Sequence, residues 1–155
     1  MNVVAVSNEK GEVADARLLA AAERVHLQLR PHLAGNYVAR MREVIGAGAE
    51  MAVALAGGEV AGVAVYRMVE RTFSGREMYC DDLVTDEAQR STGVGRSLME
   101  HMRSLCAKRG CDAFTLDSGV QRSQAHKFYY REGMTVTSFH FTQVLSDRLI
   151  GLKRK

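Results

Sequence analysis

The sequence predicts a single α/β domain, residues 1–155, with a central mixed β-sheet flanked by helices. Three observations predict it. Apolar residues open the chain at helical spacing, the period then switches to short β-branched runs, and from residue 78 onward strands and helices alternate. At 155 residues the chain has the length of one domain, which buries roughly 68–70% of the surface its unfolded chain exposes.

From Leu18 through Ala22, Val25 and Leu29 the apolar spacing matches one face of a helix, which Pro31 ends. Tyr37, Met41, Val44 and Ile45 repeat the pattern before Gly46. Met51–Ala56 and Val60–Val69 read as strands joined by the turn Gly57-Gly58-Glu59, and Met78–Thr85 as a third strand after Ser74-Gly75-Arg76. A long helix follows Gly93, with Val94, Leu98, Met102, Leu105 and Cys106 on one face and Gly110 as its stop. Ala113–Leu116 reads as a strand, Ser123–Glu132 as a helix stopped at Gly133, and Met134–Val136 and His140–Leu145 as closing strands. Strand, long helix and strand in succession imply one parallel crossover, which makes the sheet mixed.

Composition removes several function classes. Hydrophobic residues make up 46% and charged residues 25%, and no apolar run approaches the roughly 20 residues of a membrane helix. The start, Met1 to Val6, has no basic leader and too short an apolar run for a signal peptide, so a cytoplasmic location is expected. Cys80, Cys106 and Cys111 form no CxxC pair, and the five histidines stand apart from partner carboxylates at ligand spacing, so neither a disulfide framework nor a metal is implied. The net charge of +3 is mild and the basic residues are dispersed except for Lys153-Arg154-Lys155, which argues against a nucleic-acid partner.

The informative stretch runs from Asp81 to Leu98: a strand, a polar turn, then Gly93 and Gly95 at the mouth of a helix. A helix N-terminus offers unpaired N–H groups and the positive end of the dipole, and glycine lets a phosphate approach the backbone. A P-loop is excluded because no lysine follows the glycines, and a dinucleotide fingerprint because Leu98 stands where its third glycine belongs. A tight turn with no ligand is the alternative reading of the glycine pair taken alone.

Arg90-Ser91-Thr92-Gly93-Val94-Gly95 resembles the Arg/Gln-x-x-Gly-x-Gly/Ala signature of the GNAT superfamily of N-acetyltransferases, and Ala125 to Met134 is similar to its Ala-x-x-Φ-Tyr-x-x-x-Gly-Φ pattern, Φ being apolar. The resemblance implies a GNAT-like fold and acetyl-CoA as cosubstrate. It assigns the pyrophosphate to the backbone N–H groups of Ser91, Thr92, Gly93, Val94, Gly95 and Arg96, with Arg90 and Ser97 as further cofactor-binding residues, and the pantetheine arm to Leu83, Val84 and Thr85, where an N–H of Leu83 or Val84 polarises the thioester carbonyl. Arg122 replaces an Asn common in relatives whose side chain contacts the pantetheine, leaving Ser123 or Gln124 for that contact, and Ser91-Thr92 replaces a common Gly-Lys pair. Tyr129 matches the tyrosine that protonates the departing thiolate, and no side-chain nucleophile is needed, so Cys80 is read as a strand residue.

An alkylammonium must lose a proton before it attacks. By similarity to relatives, Asp82 or Asp81 is the base or water anchor, with Glu70, His140 and Asp117 behind them; a solvated strand-end pair is the alternative. The implied reaction is direct acetyl transfer to an amine, preferably on a small molecule. A protein lysine or N-terminus as acceptor, or a CoA-binding sensor without turnover, are the other readings. A homodimer is expected, since many relatives pair and His140–Leu145 would otherwise be an exposed sheet edge.

Overall fold

The computed structural model describes residues 1–145, so the basic tail Lys153–Lys155 lies outside the described residues. These form two compact units, Met1–Leu116 and the chain from Asp117 on. The first holds one five-stranded sheet in the order β1 (Asn2–Ala5), β2 (Glu50–Ala56), β3 (Glu59–Arg71), β4 (Gly75–Thr85), β5 (Ala113–Leu116). All neighbours are antiparallel except β4 and β5, which run parallel. The mixed sheet is therefore as the sequence predicts, with the crossover made by helix α4 (Val94–Arg109).

The expected first helix is two short ones, α1 (Ala16–Ala21) and α2 (Glu23–His26), and α3 spans Tyr37–Gly46. Asp15 caps α1, its Oδ1 accepting from the N–H groups of Arg17 and Leu18 at 2.9 Å. The backbone stays right-handed through Ala22, but the Val25 N–H bonds the Ala22 carbonyl three residues back, and Gln28 and Leu29 repeat this tighter spacing. Strand β1, which the sequence reading did not pick out, pairs with β2 through Ala5↔Ala52.

The sheet is buried on both faces, and side-chain size differs between them. Met51, Val53, Val63 and Val65 join Leu19, Val25, Met41 and Ile45 of the opening helices in one core. The opposite face carries Ala52, Ala54, Gly62 and Ala64, where Ala52↔Ala64 and Ala54↔Gly62 are register partners. This small-residue patch lets α4 lie close. A Cβ on Gly62 would stand 2.5 Å from Val94 Cγ1 and 3.0 Å from Leu98 Cδ1, so even a methyl group there would force the Val94 side chain to shift.

In the second unit, α5 spans Ser123–Arg131 and ends at Gly133, whose φ of 81° suits glycine. The expected strands Met134–Val136 and His140–Leu145 are absent: residues 134–145 carry no strand and leave Val136, Phe139, Phe141 and Leu145 exposed. Strand formation needs a hydrogen-bonded neighbour as well as suitable residues, and none pairs with this segment among the described residues.

Candidate functional site

Strand β4 changes its surroundings halfway along. On one side it pairs with β3 from Gly75 to Thr85, but on the other it meets β5 only from Glu77 to Cys80. Within this unit the backbone from Asp81 to Thr85 thus has an open edge on the β5 side. The transition coincides with a bulge: Val65 pairs with Asp82 and Tyr66 with Cys80, leaving Asp81 without an opposite residue. A bulge bends its strand and re-aims side chains. Leu83 and Thr85 on the open edge are half-buried and Val84 is buried.

The chain then passes from Asp86 through the 3₁₀ turn Glu87–Gln89 to the mouth of α4. Ser91 has a positive φ of 63° and Gly93 one of 94°, with no side chain capping the helix. Helix geometry leaves the N–H groups of the first turn, Val94 to Arg96, without intrahelical acceptors. A Cβ on Gly93 would meet nothing within 4 Å, so the backbone faces open space. The hydroxyls of Thr92 and Ser97 bond the carbonyls of Gln89 and Gly93 at 2.7 and 3.1 Å, which braces the loop. Arg96 pairs with Glu100 along the helix and Arg90 is exposed. An open strand edge ending at an uncapped helix mouth suits an extended ligand with a pyrophosphate at one end.

The two acidic residues, next to each other at the bulge, meet different partners. Asp81 accepts from Arg67 Nε and Nη2 at 2.9 and 2.5 Å. Asp82 accepts from Arg30 Nε at 2.7 Å and lies 2.9 Å from His26 Nε2, while His26 Nδ1 is 3.0 Å from the Tyr37 hydroxyl. His26 is fully buried. An ionised carboxylate only accepts, so Nε2 carries a proton and Nδ1 meets a hydroxyl that donates or accepts. Burial raises the Asp82 carboxyl, but the His26 and Arg30 hydrogen bonds outweigh it and hold the group below the usual carboxylate range. One turn away, Arg24 and Gln28 hold Asp86 below that range as well. The charged residues of α2 and the turns after it thus fasten the opening helices to β4 and to the loop that follows.

A carboxyl whose folded pKa is depressed stabilises the fold fully above its unfolded value near 3.9, and that contribution fades as pH falls through the lower folded value. Asp82→Ala leaves buried His26 and Arg30 without their acceptor and should cost about 2–4 kcal/mol at neutral pH. Urea titrations of both proteins should show that gap constant from pH 7 to about 5 and closing only below about 4. A gap that closes near pH 6 would show that another group titrates.

Among the other sequence candidates, Cys80 is buried, and its burial, with Asp82 and Asp81 close by, pushes the thiol up, away from reactivity. Glu70 is an exposed partner of Arg76. His140 pairs with Asp117 at 2.9 Å in the second unit. Tyr129 lies on α5 of that unit, half-buried, with its ring edge-on to Phe128 at 5.5 Å; Ser123 opens the same helix. The sequence reading did not assign Gly62, Arg24, His26, Arg30 or Tyr37 to the site. The helical spacing placed Val25 on the apolar face but gave no sign that its neighbour His26 is fully buried.

The family model described as acetyltransferase (GNAT) family matches residues 18–134. A relative from Bacillus subtilis (strain 168), named uncharacterized N-acetyltransferase YhdJ, is 37% identical over 68 residues, 43% of this chain and 48% of that protein; the chain thus spans about half its length. Among solved structures, a tetramutant of the BH1408 protein from Bacillus halodurans superposes with a TM-score of 0.76 at 21% identity, over 94% of this chain and 100% of the other. AAC(6')-Iy in complex with the bisubstrate analog CoA-S-monomethyl-acetylneamine gives 0.77 at 15%, over 94% and 97%. The aminoglycoside acetyltransferase meta-AAC0020 from an uncultured soil metagenomic sample, in complex with sisomicin, gives 0.74 at 14%, over 94% and 96%. At these identities the likeness is one of fold.

Proposed function

The chain belongs to the acetyltransferase (GNAT) family, and from that premise we propose that it is an acyltransferase that moves the acetyl group of acetyl-CoA directly onto an amine of a small molecule. The observation that carries the proposal is the open edge of β4 from Asp81 to Thr85, which leads to the uncapped mouth of α4. The open backbone at Gly93 leaves room there for phosphate oxygens. The small-molecule acceptor is supported by the fold shared with the sisomicin-bound aminoglycoside acetyltransferase.

When bound, acetyl-CoA supplies an activated acyl group. In this reading the backbone N–H groups from Ser91 to Arg96 hold its pyrophosphate, with Arg90 and Ser97 flanking them and Ser123 adding a contact farther along. Leu83, Val84 and Thr85 line the pantetheine arm, and an N–H of Leu83 or Val84 donates to the thioester carbonyl, favouring the oxygen as charge develops on it. Asp82, fixed by His26 and Arg30, anchors water that takes the amine proton, with Asp81 as the neighbouring acidic group. A carboxylate held this low is a better anchor than base. Tyr129 gives its hydroxyl proton to the departing sulfur.

The test is a panel of amines with acetyl-CoA, following CoA release by mass spectrometry so that Cys80, Cys106 and Cys111 do not react with a thiol reagent. Acetylation of at least one amine, with matching CoA release, is expected; tight CoA binding without turnover on any amine would favour a sensor instead.

One domain over residues 1–155 is part of the same proposal, supported by a family match that runs across both units. So is a cytoplasmic location; no described helix is long and apolar enough to cross a membrane. A homodimer now rests on the exposed Phe139, Phe141 and Leu145 rather than on an edge strand. Light scattering should give twice the chain mass at working concentrations, and the mass of one chain throughout would remove the dimer.

A further inference from the structure

Four sulfur atoms gather at the C-terminal end of α4, about 18 Å along the helix axis from its mouth at 1.5 Å per residue. Cys106 Sγ lies 3.7 Å from Met78 Sδ, and Cys111 Sγ 3.6 Å from Met68 Sδ. Met68 and Met78 are register partners on β3 and β4, so they stand side by side on one face of the sheet. The Cys111 N–H bonds the Cys106 carbonyl at 2.9 Å, folding the second cysteine back over the last turn of the helix. Burial, and then the neighbouring Cys111, push the Cys106 thiol up to about 12.

Two cysteines and two thioethers, from β3, β4, α4 and the loop after α4, make a donor set of one chemical kind. Metal–sulfur bonds of about 2.3 Å in a tetrahedron give sulfur–sulfur edges of about 3.8 Å, and the two measured contacts fall close to that length. Thioethers are poor ligands for zinc and hard cations but good ones for soft ions, and mixed Cys/Met sets select Cu(I). Among the described residues no group of three or more His, Cys, Asp or Glu side chains is placed to hold a borderline metal. Met68 also lines a surface cavity of about 440 Å³, with Glu50, Arg76 and Arg109 in its wall, which gives an ion a way in.

We propose that Met68, Met78, Cys106 and Cys111 form a binding site for a soft monovalent cation, Cu(I), separate from the acetyl-transfer site. Binding releases the two thiol protons to solvent, the four sulfurs donate lone pairs, and copper stays in the +1 state, so no oxidant or reductant takes part.

The test uses the full chain, reduced and kept anaerobic, titrated with Cu(I) added as its acetonitrile complex against a chromophoric Cu(I) chelator. One equivalent per chain should transfer, with sulfur-to-copper charge-transfer absorption in the near ultraviolet. Met68→Leu conserves volume, so it should keep the fold and lose at least about tenfold in affinity; Cys106→Ser and Cys111→Ser should abolish transfer, and Cys80→Ala should leave it intact. Failure of the folded wild-type chain to take copper from the chelator would overturn the proposal, as would uptake unchanged in Met68→Leu and Cys111→Ser. Neither outcome bears on acetyl transfer, which the amine panel reads independently.

Discussion

Gly93→Glu and Gly95→Glu should each abolish acetyl-CoA binding while leaving a folded protein. At Gly93 the substitution has space, since a Cβ there meets nothing within 4 Å, but φ is 94°, so any side chain carries backbone strain of roughly 1–2 kcal/mol. At Gly95, inside the first turn of α4, an acidic side chain interacts favourably with the helix dipole, by about 0.3–1 kcal/mol. The two variants therefore shift helix stability in opposite directions. Both put a carboxylate among the N–H groups proposed to hold the pyrophosphate, where like charges repel and the donors are already taken. Calorimetric titration should find an affinity at least about a hundredfold weaker in both, equivalent to roughly 2.7 kcal/mol. Unchanged affinity in the folded Gly95 variant would remove the pyrophosphate from this helix mouth.

The sheet and the long helix were legible because local signals agreed there. The β-branched and small apolar runs, the Gly57-Gly58 turn and the glycines flanking α4 all favour the elements observed, and Ala113–Leu116 has the predicted bounds. Two kinds of information were not local. Residues 134–145 have strand-forming composition, but pairing depends on what lies beside them, which sequence composition does not encode. The polar anchor of Asp82 joins residues far apart in sequence: Tyr37 read as a helix-face residue, and no local pattern marked His26 or Arg30, until the fold brings them to β4. Asp81 and Asp82 were visible as a pair at the end of the strand, but the bulge that interrupts its alternation there was not. That each is already held by an arginine was not visible either, and of the two roles expected for Asp82, base or water anchor, this favours the proposed anchor. Gly62 was invisible for another reason: its importance lies in the missing Cβ that lets α4 sit close to the sheet.

Tyr129→Phe should preserve the fold and acetyl-CoA affinity and lower kcat by at least about tenfold. The substitution removes one oxygen and keeps the ring, so the edge-on contact with Phe128 at 5.5 Å survives and α5 retains its packing. What disappears is a proton donor. A thiolate leaving group has a reference pKa near 8.5 and a phenol one near 10, so the phenol can pass its proton as negative charge builds on the sulfur, and a well-placed general acid contributes typically 10²–10⁴-fold. An effect confined to the transition state lowers kcat and kcat/KM together, whereas a lost binding contact would appear mainly in KM. Tyr130 provides the internal control: it is the next residue on α5, 58% exposed, and Tyr130→Phe should turn over like the parent. Measured with an amine that the panel identifies, equal kcat in the Tyr129 and Tyr130 variants would assign Tyr129 to packing against Phe128 and leave protonation of the sulfur to water.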